Sequence, residues 1–359
     1  MKNEPSIMEN WKSKKIKLSI CCTAYNHESY IEEALKGFLE QQTDFAFEII
    51  ISDDCSTDGT TKILNEYADR YPNIIRLIYQ KENQYSKGAL PIRDFILPEV
   101  RGEYIALCEG DDYWTDPNKL QKQVDFLEKH HDFIGCGHNT RFLIDGELTD
   151  RLFVKPETKI KEQYVFNDFI DSAYMHTTSL VLRYNKHNKS EIDMCLSKYS
   201  NVERNDVYML LVFSKFGPIK YIDEIMSIYR MNAGGIWSGS NDDAQLKMFL
   251  KGCVDFSYLF GDEYKSKFLY SFANTLSEES ATRTEAFVTD VLDDLSEQDL
   301  KTVLRYFAIF KKRDNDTIKD CSKYIDFLEF HFYDNSFKSL LVKLSKFLRL
   351  HNLLKKIKK

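Results

Sequence analysis

Asp53-Asp54-Cys55-Ser56-Thr57-Asp58-Gly59-Thr60 directly follows the apolar run 47–51. An apolar strand that ends in two carboxylates and a Ser/Thr/Gly turn sets acids at the carboxyl edge of a sheet. Open α/β sheets bind ligands at that edge. A second run of the same kind, Tyr104-Ile105-Ala106-Leu107-Cys108, leads into Glu109-Gly110-Asp111-Asp112-Tyr113-Trp114. Two strands that each end in an acid cluster predict a site for a nucleotide and a divalent cation.

Outward from these runs, strands and helices alternate. The pattern predicts a strand over 18–23, then a helix over 28–41 with Ile31, Ala34, Leu35 and Phe38 at helical spacing. A strand over 47–51 is followed by a helix over 60–71, opened by Ser56, Thr57 and Asp58 and stopped before Pro72. Strands over 74–79 and 104–108 precede a helix over 117–129, with Pro117 near its first turn. Later strands are predicted over 179–183 and 219–222. Such alternation predicts an α/β fold with a mostly parallel sheet and flanking helices. Beyond about residue 240 the pattern is helical only. The expected organisation is a polar N-terminal extension (1–16), an α/β domain (17–240) and a helical C-terminal region (241–359).

Composition narrows the function. The chain has 359 residues, 43% hydrophobic and 14% aromatic, which is ample for a core. A net charge of −7 argues against a general nucleic-acid binder. The eight cysteines show no metal spacing, and Cys21, Cys22 and Cys108 lie in apolar strands as buried thiols would. That favours a reducing, cytoplasmic setting. No signal peptide or run of about 20 apolar residues is read. The end of the chain is distinct: after Asp334 every charged residue is basic, and Leu340, Leu344, Phe347, Leu354 and Ile357 fall on one stripe. Residues 338–359 therefore read as a basic amphipathic helix for an anionic membrane surface, or one that packs on protein, including a second subunit.

Ser19-Ile20-Cys21-Cys22-Thr23-Ala24-Tyr25-Asn26, then 53–60, then 102–114, resemble the successive motifs of the glycosyltransferase family 2 catalytic domain. Asn205-Asp206 before an apolar helix, and Tyr229-Arg230 followed by Gly234-Gly235-Ile236-Trp237-Ser238, agree in order. The resemblance covers roughly 17–240. It implies the GT-A fold and inverting transfer of a sugar from a nucleotide-sugar donor. It also implies a glycan or lipid-linked acceptor, as in bacterial surface polysaccharide.

The residues carry matching chemistry. A nucleotide base needs a flat contact and polar groups at its edge, which Thr23, Tyr25, Asp53 and Asp54 can supply. Taken alone, Tyr25 reads more readily as a strand-end aromatic packing on the helix below, and the acid pair also reads as helix caps, although two adjacent carboxylates exceed what a cap needs. A diphosphate leaving group needs its charge neutralised by Mn²⁺ or Mg²⁺ with oxygen ligands. Glu109-Gly110-Asp111 occupies the position of the family's Asp-x-Asp motif, so the resemblance makes Asp111 the metal ligand. Glu109 is left as ligand, ribose contact or water-mediated partner. Inverting transfer needs a base; the resemblance makes Asp206 that base, where spacing alone also allows a helix cap. Arg93, with Lys87 as competitor, stands where the family places a basic residue for the diphosphate. Arg230 is followed by Asn232, where many relatives have His, so that ligand is missing. Asp112, Trp114, His176, Arg230 and Trp237 are assigned to the sugar or acceptor pocket. Two other classes compete: a nucleotidyltransferase, which would carry a Gly-rich loop where Thr23–Glu28 has none, and a catalytically inactive sugar-binding or scaffolding protein.

Overall fold

The computed structural model describes residues 2–199, 204–231 and 239–279, with scattered positions between 287 and 306. The chain divides into two compact units, Met1–Gly239 and Ser240–Lys359.

The first unit is a ten-stranded mixed sheet with helices against it. In chain order its strands are β1 (Ile16–Ala24), β2 (Ala46–Asp53), β3 (Ile75–Tyr79), β4 (Tyr104–Leu107), β5 (Tyr113–Trp114), β6 (Gly135–Ile144), β7 (Glu147–Leu152), β8 (Gln163–Tyr164), β9 (Val181–Arg183) and β10 (Ile219–Met231). Across the sheet the order is β3-β2-β1-β4-β9-β6-β10-β5, with β7 on β6 and β8 on β10. The run β3-β2-β1-β4 is wholly parallel. At β9 the direction reverses, and β6 and β10 then pair parallel to each other. Every residue of β2 is buried, as expected for a strand covered on both faces.

Its helices are α1 (Glu4–Met8), α2 (Ile31–Leu39), α3 (Thr60–Arg70), α4 (Lys119–Lys129), α5 (Lys189–Leu196) and α6 (Asn205–Ser214). α2 buries Ile31, Ala34, Leu35 and Phe38, the positions picked out by helical spacing. Their core also holds Ile20, Phe47, Ile49, Leu64, Ala106 and Leu120. The first 16 residues are no separate extension. Ile7 is buried in that core, and Trp11 stands edge-on to Phe47 at 5.5 Å. The predicted strand over 219–222 runs on to Met231, and β6 and β7 were unforeseen.

The second unit holds α7 (Asp242–Leu259) and α8 (Asp262–Glu279). Asn241 caps α7 by accepting from the Ala244 amide. Leu250, Cys253, Phe272, Leu276, Leu292 and Leu300 form its core. The basic stripe over 338–359 lies outside the described residues. Among the described residues no helix is long and apolar enough to cross a membrane.

Candidate active site

β1, β2 and β4 end side by side, so the loops that follow them share one edge of the sheet. After β1, Asn26 is left-handed (φ 54°), and after β2, Cys55 is too (φ 65°). The two loops interlock. Ser56 Oγ accepts from the Asn26 amide at 2.9 Å, and Asn26 Oδ1 accepts from the Thr57 amide at 2.8 Å. Tyr25, just before Asn26, is 43% exposed. A ring held there by fixed backbone can stack on a flat ligand. Thr23 is partly buried, and its carbonyl accepts from the Gly110 amide at 2.9 Å.

Asp53 and Asp54 have structural work. Both are buried. Asp53 accepts from the amide and hydroxyl of Ser56 and from Thr61 Oγ1. Asp54 accepts from the amides of Gln84 and Tyr85 at 2.7 and 2.9 Å. Each acid holds a different stretch of backbone, Asp53 its own turn and Asp54 the 84–85 turn. The Arg93 guanidinium pairs with Asp94 and donates to the carbonyls of Leu196 and Tyr199. It ties its own turn to the end of α5.

The loop 109–112 bridges the parallel strands and the rest of the sheet. It leaves β4 and enters β5, which pairs with Ser227 and Ile228 of β10. The next residues of β10 grip it. The Arg230 amide donates to Asp112 Oδ1 at 2.8 Å, and Arg230 Nε donates to the Asp111 carbonyl at 2.9 Å. The same guanidinium pairs with Glu33 of α2 and lies 4.7 Å from the Tyr30 ring. Thr177 Oγ1 donates to Glu109 at 2.8 Å.

Environment then sorts the acids. Burial, with the charges of Asp111 and Asp206 adding to it, pushes Glu109 up to about 7 despite its Thr177 hydrogen bond. Burial raises Asp112 well above the carboxylate range, helped by Asp111 and Glu109. Asp112 is 2% exposed and holds the Arg230 backbone from inside. His176 packs on Tyr229 with ring centroids 4.2 Å apart, and burial pushes it down to about 3. Its Nδ1 lies 3.7 Å from Asp112 Oδ2. Burial also raises the Tyr229 hydroxyl, with Asp112, Asp111, Glu109 and Asp206 adding to the shift. Asp206, in the first turn of α6, is exposed, and its charge reaches Glu109 and Tyr229.

Trp114 is corrected to a core residue. It is 4% exposed, packs edge-on to Phe38 at 4.7 Å, and donates from Nε1 to the Thr178 carbonyl at 2.8 Å. Arg230 is corrected from pocket lining to the clasp of the acid loop. Trp237 and Asn232 lie outside the described residues. His27, Thr177 and Tyr229 carried no predicted role. His27 follows the β1 strand end and sets Nε2 4.0 Å from Asp111 Oδ2, each side chain about one-fifth exposed. A polar residue just past a strand end was the available signal.

Among the described residues no three His, Cys, Asp or Glu side chains are grouped to hold a metal ion. A hard cation that keeps water and substrate oxygens around it needs only one or two carboxylates. Asp111 reaches the surface beside Glu109 and His27, and this donor set fits such an ion.

The residues 19–189 match the family model for glycosyl transferase family 2. The chain carries a glycosyltransferase family 2 domain. An uncharacterized protein of Mycobacterium tuberculosis is 38% identical to it over 226 residues, 63% of this chain and 62% of that one. The chain thus spans less than two thirds of that relative. The Escherichia coli UDP-Glc:alpha-D-GlcNAc-diphosphoundecaprenol beta-1,3-glucosyltransferase WfaP is 40% identical over 111 residues, 31% of this chain and 41% of WfaP. The structure of Staphylococcus aureus TarS 1-349 in complex with UDP-GlcNAc superposes with a TM-score of 0.59 at 17% identity, over 90% of this chain and 93% of that one. The family 2 domain has the GT-A fold, as expected.

Proposed function

We propose that the chain is an inverting, metal-dependent glycosyltransferase. It moves a sugar from a nucleoside-diphosphate donor, a UDP-sugar by family frequency, onto a glycan or lipid-linked glycan of bacterial surface polysaccharide. The observation that carries this reading is the gathering of acids at the strand-end loop. Asp111 stands beside Glu109, and Asp206 is exposed at the start of α6, close enough for its charge to act on Glu109.

In this reading Tyr25 stacks the base at the edge shared by β1 and β2. Asp111 holds Mg²⁺ or Mn²⁺, with Glu109 beside it. Bound there, the ion neutralises the diphosphate as it leaves. Arg230, Glu33 and Thr177 fix the loop so that Asp111 stays in place. Asp206 accepts the proton of the acceptor hydroxyl. WfaP and TarS, by their names and bound UDP-GlcNAc, support UDP-sugars as the donor class.

Asp206→Asn keeps the shape and removes the proton acceptor. Transfer should fall by about a hundredfold to ten-thousandfold, with donor affinity unchanged by calorimetry. Collapse of donor binding with turnover intact would make Asp206 a binding residue. A thermal-shift screen of nucleotide sugars with and without Mn²⁺ identifies the donor. Donor hydrolysis then separates an enzyme from an inactive binding protein.

A further inference from the structure

His27 Nε2 lies 4.0 Å from Asp111 Oδ2. That is too long for a hydrogen bond. It does suit two ligands of one ion. Ligand bonds of about 2.0–2.1 Å put two donor atoms between about 3.0 Å apart at a right angle and about 4.2 Å apart on opposite sides.

The loop is shaped around this imidazole. A Cβ at Gly110 would come 2.9 Å from His27 Nδ1 and 2.7 Å from Ile31 Cδ1. Glycine at 110 therefore leaves room for the ring against the acid loop. Nδ1 is buried there with no hydrogen-bond partner. Packing, with no hydrogen bond, fixes the ring, and Nε2 is the nitrogen turned toward Asp111.

We propose that His27 Nε2 joins Asp111 as a ligand of the divalent cation in this site. The assignment rests on reading the Asp111 loop as the diphosphate end of a donor site. A nitrogen ligand has two consequences. It favours Mn²⁺ over Mg²⁺, since imidazole suits transition metals and Mg²⁺ prefers oxygen. It also makes the ion dependent on the donor. Metal-bound histidines as a rule donate their second N–H to an acceptor, and His27 has none. Its hold is weak, and a nucleoside diphosphate must complete the shell.

The test is pulsed electron paramagnetic resonance on the full chain with Mn²⁺ and UDP. Phosphorus coupling reads the diphosphate, and nitrogen coupling reads the imidazole, so the two claims are separated in one sample. The expected spectrum shows both. The nitrogen signal should change to that of ¹⁵N when only histidine is labelled. In His27→Gln the phosphorus coupling should remain and the nitrogen coupling vanish. Mn²⁺ affinity should fall by at least about tenfold, while Mg²⁺ affinity changes less. His27→Ala, which cannot overpack the site, gives the same reading if the glutamine variant misfolds. Nitrogen coupling absent from the wild type, or surviving in both variants, overturns the proposal. Nitrogen coupling without phosphorus coupling keeps His27 as a ligand and sinks the donor reading instead.

Discussion

At Arg230 one guanidinium joins Glu33 of α2 to the Asp111 carbonyl, while its amide holds Asp112. Lysine keeps the charge but loses the planar fork that reaches two partners at once. Arg230→Lys should therefore leave the domain folded and let the acid loop drift. A shift of about 1 Å in positioned groups can cost on the order of a hundredfold in rate. Steady-state kinetics should show that loss in kcat with a change of only a few degrees in melting temperature. Unchanged kcat would remove Arg230 from the positioning of Asp111. The acids themselves were legible by type and by strand end. What each one does was not. Asp53 and Asp54 read like Glu109 and Asp111 on paper, because sequence shows which residues share a turn but not which amides converge on it. Trp114 misled for a related reason: an aromatic beside an acid loop looks like a binding wall until its indole N–H is seen on the Thr178 carbonyl.

Among the elements, α4 carries the least expected group. Lys119 is fully buried, donates to Gln123 Oε1 at 2.8 Å, and lies 4.1 Å from the Trp114 ring. Burial pushes it down to about 7, against the raising effects of Cys108, Cys136 and Asp116. The ring face offsets part of that penalty. The unfolded lysine keeps its proton up to about 10.4, so between about pH 7 and that value the unfolded chain binds the extra proton. Stability from this group therefore rises with pH across that window, and its cost is greatest, and constant, below about pH 7. Lys119→Met should raise the melting temperature most near pH 7 and least near pH 10. A parallel offset at all pH values would show that Lys119 stays charged in the fold. Helical spacing located α4 but could not reveal this, since lysine at the first turn reads as solvated. The hairpin of β6 and β7 carries its own signal in the sequence. Asp145-Gly146 stands between two strand runs, and both residues are left-handed (φ 51° and 81°), the pattern of a tight hairpin turn.

For the whole molecule, alternation of strand and helix made the parallel run β3-β2-β1-β4 legible. The strands beyond it were harder, because long-range neighbours set the β4–β9 reversal and no local pattern announces it. In the second unit the described helices α7 and α8 follow the helical pattern read beyond about residue 240. We propose that residues 338–359 attach the chain to an anionic membrane surface. Basic residues near such a surface contribute about 1 kcal/mol each. The full chain should float with anionic vesicles at low salt and sink at high salt, and a chain ending at Asp334 should stay folded and unbound. Flotation of neither would assign the stripe to protein packing.

The sheet's change of direction also bears on inheritance. The parallel strands β1, β2 and β4 are buried almost throughout, and their loops are pinned to one another. The β7 strand, by contrast, is largely exposed and hangs on the sheet through β6 alone. Substitutions there disturb few neighbours, whereas one at Gly110 meets three. Descendants of this chain can thus rewrite the outer hairpin many times over while the strand ends of the parallel half keep their spelling.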